Sequence, residues 1–366
     1  MPSIGLLRAM LAVVFLTPGP GGRFIASDPL RPLEAATGTG GVARALERQG
    51  SQAEGAAANP TALTVAEGLP KSHRPPLPGL SQYITSTSEP VLSRAGCVMG
   101  KQAQQYPNLG DAIVVLDFGR PLHRGHLFGT SLFGKGFRST SSIGSAVEAY
   151  AQGYSECSRG VPNAHLQLAV GTSNYGRYGP RVSYWHGRAW GAMVNATAEW
   201  VRVHGYGDRV GIAGANDIEL GWNGPSLTRR WVQGYGSTAG FPYYDYGDAA
   251  GCPPRGTCIG GWTVEDVWYV AWGAPRALPL PEIYAPNGSS AHEWQRLSLY
   301  AYTHHGSRLH IAGVMSQHRA CWQSSDPCWG MNNSPSRAYS LLWTALNADL
   351  RTAQDLRWST DILWNR

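Results

Sequence analysis

Short apolar runs alternate with longer amphipathic segments over most of the chain. The runs "AIVVLDFG", "AHLQLAVGTSNYG" and "RVGIAGANDIELGW" are typical of buried strands. Each is followed by a segment with apolar residues at helical spacing, namely "SSIGSAVEAYAQGYSEC", "GRAWGAMVNATAEWVRVHGYG" and "GPSLTRRWVQGYGS". Strands that alternate with helices in this way predict a parallel sheet covered by helices.

The second half of the chain continues this pattern less regularly. "FPYYDYGD", "ALPLPEIY" and "LHIAGVMSQH" predict strands, and "AHEWQRLSLYAYTHH" and "SPSRAYSLLWTALNADL" predict helices. In "TVEDVWYVAWG", Thr263 and Asp266 can form the capping box of a helix, although the apolar spacing fits a strand as well. Six strand and helix units can be counted, so the expected fold class is α/β, a TIM-like (β/α)8 barrel that is irregular or incomplete.

The N-terminal part differs in composition from the rest. Residues 1–26 contain a short apolar run ending in Pro and Gly, which favours a signal peptide or an apolar N-terminal segment. Residues 27–94 are rich in Ala, Gly, Pro, Ser and Thr and predict a low-complexity, mostly disordered linker, with one short helix near residues 42–49. The folded barrel domain is then expected over residues 95–366.

The six cysteines favour an oxidising compartment. Cys252 and Cys258 bracket one Pro-containing loop, "CPPRGTC", and Cys321 and Cys328 bracket another, "CWQSSDPC". Pairing within each loop leaves Cys97 and Cys157 as a third disulfide, among the fifteen connectivities that six cysteines allow. No CxxC supports a zinc site. We therefore expect a secreted or cell-surface protein.

Charge excludes some partners. The formal net charge is +6, but 27 of the 30 basic residues are Arg, scattered among Gly, Ala and Pro rather than clustered. Nucleic acid is therefore not an expected partner, because its recognition needs a concentrated basic face. No apolar run is long enough for a stable membrane span, and a monomer is expected.

Polar residues recur where the predicted strands end. Asp117 closes the first strand, Asn174 follows the second, Asp217 and Glu219 close the third, Asp245 closes the fourth, and Glu282 lies in the fifth. Carboxylates at successive strand ends are typical of a TIM-barrel active site. Asp217 and Glu219 would face the same way, about 6.5–7 Å apart along the strand, and their repulsion is expected to raise the pKa of Glu219.

The strand end "GANDIE" resembles the D-x-E that closes a barrel strand in chitinase-type and muramidase-type glycoside hydrolases. The order of elements is similar to that of glycoside-hydrolase-like barrels of secreted actinobacterial proteins. The resemblance implies that Glu219 is the acid or base and that Asp217 positions or polarises it, with Glu282 or Asp117 as the second carboxylate. Ile212 and Ala215 stand where the chitinase motif has further acidic residues.

Aromatic residues accompany these carboxylates, as they do in sugar-binding clefts. The predicted substrate-binding set combines them with polar neighbours: Asn174, Tyr175, Trp222, Asp245, Tyr246, Trp272 and Tyr284. Core packing is an equally valid interpretation of such aromatic residues. The sequence thus predicts a secreted glycoside hydrolase acting on a polysaccharide or cell-wall glycan by carboxylate acid/base catalysis. The alternative is a barrel that binds the glycan without cleaving it. Neither a cofactor nor a metal ion is expected.

Overall fold

The computed structural model describes residues 74–106, 110–176, 181–324 and 328–365. Its strands are β1 (Gly79–Ile84), β2 (Asp111–Asp117), β3 (Arg120–Arg124), β4 (Leu127–Ser131), β5 (Phe137–Ser139), β6 (His165–Ser173), β7 (Val210–Asp217), β8 (Tyr243–Asp245), β9 (Ala277–Pro279), β10 (Gly313–Ser316) and β11 (Trp358–Asn365). Its helices are α1 (Glu89–Gln105), α2 (Thr140–Cys157), α3 (Tyr184–Val203), α4 (Pro225–Gly236), α5 (Val264–Trp268), α6 (Ser289–His305), α7 (His318–Gln323) and α8 (Pro335–Asn347).

Eight of these strands form a parallel TIM-like barrel, as predicted. They lie in the order β10-β11-β1-β2-β6-β7-β8-β9. The ring closes where the segment after β9 meets β10, because the Ile283 amide donates to the Met315 carbonyl and the Met315 amide to the Pro281 carbonyl. A small antiparallel sheet, β3-β4-β5, is inserted after β2. The predicted (β/α)8 fold class is therefore confirmed.

Two hydrophobic layers hold the barrel together. The inner one fills the barrel and includes Ile113, Val115 and Ala169 from neighbouring strands. The outer one lies between strands and helices and includes Val114, Leu168 and Ile212. Successive strand residues face opposite sides, so a single strand supplies both layers. In β7 this alternation places Ala213, Ala215 and Asp217 on the inner face.

Two strands of the barrel were missed by the sequence pattern. β1 lies inside the predicted linker, and β11 lies at the C-terminal end, after the predicted series. The two strands pair with each other over six residues, from Gly79↔Thr360 to Ile84↔Asn365. The predicted domain boundary at residue 95 was therefore wrong, because β1 and the start of α1 belong to the barrel. The segments predicted within residues 1–73 lie outside the described residues.

Helices α1 and α2 pack closely and are joined by a disulfide. A Cβ at Gly153 of α2 would collide with the Ser93 carbonyl of α1, and Cys97 bonds to Cys157. Cys252–Cys258 and Cys321–Cys328 are also bonded, so all three predicted pairs are confirmed. Three disulfides are consistent with an extracellular protein. Among the described helices, none is both long and apolar enough to cross a membrane.

Gly153→Ala is expected to destabilise the protein by about 2–3 kcal/mol, because the added methyl meets rigid backbone of the neighbouring helix. Gly160→Ala is the matched control. Its added Cβ would meet nothing closer than the flexible end of Gln104, at 3.8 Å, so a change within about 0.5 kcal/mol is expected. Chemical denaturation of both variants measures this difference. Equal stabilities would contradict the close helix contact.

The predicted helix at "TVEDVWYVAWG" is also confirmed. Thr263 accepts a hydrogen bond from the Asp266 amide, and the Asp266 side chain accepts one from the Thr263 amide, which makes a capping box. The helix begins with α5 and continues as a π-helical turn over Tyr269–Gly273. The capping box therefore identified the helix at a position where the spacing of apolar residues also fitted a strand.

Candidate functional site

Four of the predicted carboxylates are placed at the C-terminal end of the barrel. Asp117 and Asp217 are the last residues of β2 and β7, and Glu219 follows β7 by two residues. Glu282 lies in the segment that closes the barrel against β10, where it pairs with Met315. The strand ends of a TIM barrel open on one face, so residues distant in sequence meet here.

Three of these side chains form one compact group, the carboxylate cluster: Asp217, Glu219 and Glu282. One oxygen from each lies within 4.8 Å of the others. Asp217 and Glu282 are buried, with 5% and 7% of their surface exposed, and Glu219 is partly exposed. The cluster is therefore a buried acidic site with one member reaching towards solvent.

Glu219 is positioned by its backbone. Its amide donates to Asn174 Oδ1 at 3.2 Å, and its carbonyl accepts from Asn174 Nδ2 at 3.0 Å. The next residue, Leu220, donates its amide to Asp248 Oδ1 at 3.2 Å. The Trp222 amide also donates to the Glu219 carbonyl, which closes a tight turn. Glu219 thus lies outside the regular strand but in a defined loop.

Glu282 is positioned by the barrel seam and by a tyrosine. Its amide donates to the Gly247 carbonyl at 3.2 Å, which ties the closing segment to the residues after β8. The Tyr284 hydroxyl donates to Glu282 Oε1 at 2.7 Å. This hydrogen bond orients the carboxylate towards Asp217 and Glu219.

Burial and neighbouring negative charges raise the pKa of every member of the cluster. Burial raises the pKa of Glu219 to about 8, and the charge of Asp248 adds to the effect. The pKa of Asp217 lies well above its usual range because of burial and the charges of Glu219 and Asp117. Burial and the charge of Asp217 do the same for Glu282. The predicted rise for Glu219 therefore has the expected direction, and burial is its largest cause.

Asp117 borders the cluster. Burial raises its pKa to about 6, while the hydrogen bond that Oδ1 accepts from the Gly119 amide, at 2.7 Å, opposes the shift. Its charge contributes to the raised pKa of Asp217. Asp117 is thus a neighbour of the three clustered carboxylates, with a pKa closer to neutrality than that of an ordinary aspartate.

Asp217 has an unsatisfied oxygen. Among the described residues, its Oδ1 is buried and has no hydrogen-bond partner. A buried carboxylate oxygen without a donor is costly, and most buried polar atoms in folded proteins are paired. This unpaired oxygen belongs to a residue of the three-carboxylate cluster, which is the arrangement that a bound cation would satisfy. The geometry differs here from the expectation that the protein has no metal site.

Two predicted substrate-binding residues lie at the rim of this face. Tyr175 and Trp222 are partly exposed, and their ring centroids are 5.6 Å apart in an edge-on arrangement. The Arg120 guanidinium lies over the Tyr175 ring at 5.8 Å. Trp222 is next to Glu219 through the turn described above, so this aromatic pair borders the carboxylate cluster.

Four other predicted substrate-binding residues are not open to a ligand. Asn174 is buried and its amide is engaged with the Glu219 backbone, and Tyr246 is buried and donates to the Thr172 carbonyl at 3.1 Å. Asp245 is buried on the outer side of β8, where it accepts from the Gly247 amide. Tyr284, also buried, orients Glu282. Their strand-end positions were predicted correctly, but packing and pairing occupy their polar groups.

Trp272 lies at the opposite end of the barrel. It precedes β9 and its ring stacks on His310, which precedes β10, with centroids 5.0 Å apart. Residues before parallel strands belong to the N-terminal face. The prediction that Trp272 lies with the carboxylates was therefore wrong, because it belongs to the helix that leads into β9 rather than to a strand end.

One wall of the mouth is formed by residues that the sequence pattern did not predict. Tyr83 of β1, Phe133 and Trp364 of β11 form an aromatic trio, with ring centroids 4.7 to 5.3 Å apart. The pKa of Tyr83 lies well above its usual range because of burial and the charges of Glu282, Asp217 and Asp117, which places it beside the cluster. The alternating run "GLSQYI" was the available signal, but it stood within a Pro-rich segment.

Comparison with known proteins gives no family. No protein-family description matches the chain, and no curated protein is similar to it. A solved structure that matches is the apo form of the homocysteine methyltransferase MmuM from Escherichia coli. It is 14% identical over 74% of this chain and 96% of its own, with a TM-score of 0.38. The resemblance to secreted glycoside-hydrolase-like barrels thus stays a prediction.

The predicted function, a glycoside hydrolase or a glycan-binding barrel, is contradicted. None of these comparisons gives a glycoside hydrolase or a glycan-binding protein. The site supplies a physical reason. Two of the tyrosines expected to contact sugar, Tyr246 and Tyr284, are buried.

Proposed function

We propose that the C-terminal mouth of the barrel is a cation-dependent active site, with a divalent cation held by the carboxylates of Asp217, Glu219 and Glu282. The observation that carries the proposal is the buried, unpaired Oδ1 of Asp217 within a group of three carboxylates. Oxygen ligands select the hard cations Ca²⁺, Mg²⁺ and Mn²⁺ over zinc or copper.

Electrostatics supports the same proposal. Three carboxylates in one buried site either take up protons or need a positive charge. Within the described residues, no Lys or Arg forms an ion pair with the cluster. A divalent cation would compensate the charge that raises the three pKa values, and the Tyr284 hydroxyl would keep Glu282 oriented as a ligand.

The reaction class follows from the groups that surround the site. A bound divalent cation supplies Lewis-acid polarisation of a carbonyl or phosphoryl oxygen. Asp117 is the adjacent carboxyl whose pKa of about 6 lets it exchange a proton near neutral pH. Tyr175 and Trp222 border the entrance and would contact the substrate. We therefore propose cation-assisted chemistry on an oxygen-bearing substrate, with Asp117 as the proton-exchanging group.

The place of action is part of the proposal. Three disulfides support function outside the cell, with export by the predicted signal segment. Extracellular calcium-binding modules have dissociation constants of about 10⁻⁴–10⁻³ M, which makes Ca²⁺ the first cation to test.

Calorimetric titration of chelator-treated full-length protein tests the proposal. Ca²⁺, Mg²⁺ or Mn²⁺ is expected to bind at one site per chain, and Glu219→Gln is expected to weaken binding at least about tenfold by removing a charged ligand. Glu199→Gln is the matched control, because it makes the same change on the exposed surface of α3. Absence of binding by the wild-type protein to all three cations would refute the proposal.

A further inference from the structure

The residue that positions Glu219 lies on the neighbouring strand. Asn174 follows β6, and its amide donates to the Asp217 carbonyl at 2.9 Å, which continues the β6–β7 ladder by one bond. At this point the backbone of β6 turns away into the loop. Beyond this point the Asn174 side chain pairs with the backbone that follows β7. Its Nδ2 donates to the Glu219 carbonyl, and its Oδ1 accepts from the Glu219 amide.

A primary amide can pair with both the N–H and the C=O group of one residue, since it carries a donor and an acceptor side by side. The two bonds of Asn174 hold the backbone on both sides of the Glu219 Cα. They therefore restrict the direction of its Cα–Cβ bond. Asn174 is fully buried, so water does not compete for these bonds. Regular strand structure does not provide this restraint, because β7 ends at Asp217, and the bond from the Trp222 amide holds only the Glu219 carbonyl.

From this geometry we infer that Asn174 is a positioning residue, which sets the direction of the Glu219 carboxylate towards Asp217 and Glu282 and thereby the affinity of the site for a divalent cation. The inference rests on the proposed cation site. Asn174 itself offers no free atom to the cation, because its remaining contacts are a bond from Nδ2 to Thr228 Oγ1, at 3.4 Å, and one from Asn223 Nδ2 to its carbonyl, at 3.1 Å.

The role predicts a specific pattern of variants. Asn174→Ala is expected to lower the affinity for Ca²⁺ about 10–100-fold, as is usual when a residue that orients a metal ligand is removed. Thr228→Val is the matched control, because it removes the other side-chain contact of Asn174 and leaves the Glu219 bonds in place. Its affinity is expected to equal that of the wild type.

A double-mutant cycle separates positioning from a general loss of structure. If Asn174 acts through Glu219, then Asn174→Ala has little further effect on Ca²⁺ affinity in a Glu219→Gln background. Equal losses in both backgrounds would mean that Asn174 acts on the fold rather than on Glu219, and would overturn the inference. Unchanged affinity in the single Asn174→Ala variant would overturn it as well.

Asn174→Asp provides a second test if the alanine variant does not fold. Aspartate has the same shape and still accepts from the Glu219 amide, but it cannot donate to the Glu219 carbonyl. Its added negative charge would by itself strengthen cation binding, so a fall in affinity is expected only if the lost donor matters. A gain in affinity would contradict the inference.

Amide hydrogen exchange distinguishes this inference from the proposed function. In cation-free wild-type protein the Glu219 amide is expected to be protected, because it donates to Asn174. Rapid exchange at Glu219 would refute the positioning role even if the cation binds. Protection at Glu219 without any cation binding would instead refute the proposed function and leave the Asn174 bonds established.

Discussion

Asp217→Asn is expected to weaken divalent cation binding more than about 100-fold and, in the absence of cations, to raise the melting temperature of the protein. The loss should be larger than the about 10–100-fold typical of residues that only orient a ligand, because Asp217 would be a ligand itself. The asparagine keeps the size of the side chain but removes its charge.

The gain in stability has a separate physical reason. The pKa of Asp217 lies well above its usual range because of burial and the charges of Glu219 and Asp117, so its ionised form destabilises the fold at neutral pH. Each unit of such a shift corresponds to about 1.4 kcal/mol. Removal of the charge removes this penalty, and Glu282 is no longer repelled by a charge at Asp217.

Thermal unfolding with chelator and with saturating Ca²⁺ measures both effects. The wild type is expected to be strongly stabilised by Ca²⁺, and Asp217→Asn to be more stable than the wild type in chelator but insensitive to Ca²⁺. Asp349→Asn, at a partly exposed position after α8, is the control and should retain the response to Ca²⁺. A destabilised Asp217→Asn variant that still responds to Ca²⁺ would contradict the account.

The cation-free protein is expected to lose stability as the pH rises from 7 to 9. Glu219 has a pKa of about 8 in the folded protein, and its pKa in the unfolded chain is near 4.5. Between these values the folded state binds more protons than the unfolded state, so stability falls as pH rises. The destabilisation is complete at pH values above the pKa of the folded state and absent at pH values below the pKa of the unfolded state. Asp217 and Glu282 act in the same direction.

Burial also raises the pKa of Asp245 and Asp248, at the end of β8 and just after it, so these two groups act in the same direction as the cluster. The following shifted groups titrate outside this window. Burial lowers the pKa of His186 to about 4, so its effect on stability arises at acidic pH. Hydrogen bonds and ion pairs lower the pKa of Asp111 and Asp266, and their effects are also complete below pH 7. Burial raises the pKa of Tyr244 and other buried tyrosines, which therefore matter only above pH 9. The change between pH 7 and 9 thus reports on the buried carboxylates at the C-terminal end of the barrel, namely the carboxylate cluster together with Asp245 and Asp248.

Melting temperatures at pH 7, 8 and 9 test this expectation. In chelator they should fall with pH, and in saturating Ca²⁺ the fall should disappear, because the cation favours the ionised carboxylates. The affinity for Ca²⁺ should rise over the same range, since protons compete for the ligands. Glu219→Gln should show a shallower fall in chelator. A stability that increases from pH 7 to 9 would show that the cluster is not protonated as described.

Local patterns in the sequence determined much of this protein. The alternation of apolar runs and amphipathic segments predicted six of the eight barrel strands, and the capping box at Thr263 predicted α5. The spacing of cysteines around two loops predicted the disulfides. The carboxylates at strand ends predicted the functional face, because parallel strands all end on the same side of a barrel. These features depend on residues that are near one another in the chain.

Only the tertiary structure decided the rest. β1 and β11 stabilise each other although they lie at opposite ends of the folded chain, so neither flanking sequence revealed the pair. Glu282 reaches Asp217 and Glu219 because the segment after β9 closes the barrel against β10. The packing of the loop after β6 against the loop after β7 decided that Asn174 binds the Glu219 backbone instead of facing a ligand. Contacts between distant residues leave no periodic signal in the sequence, and burial, which raises the pKa values of the cluster, is a property of the assembled barrel alone.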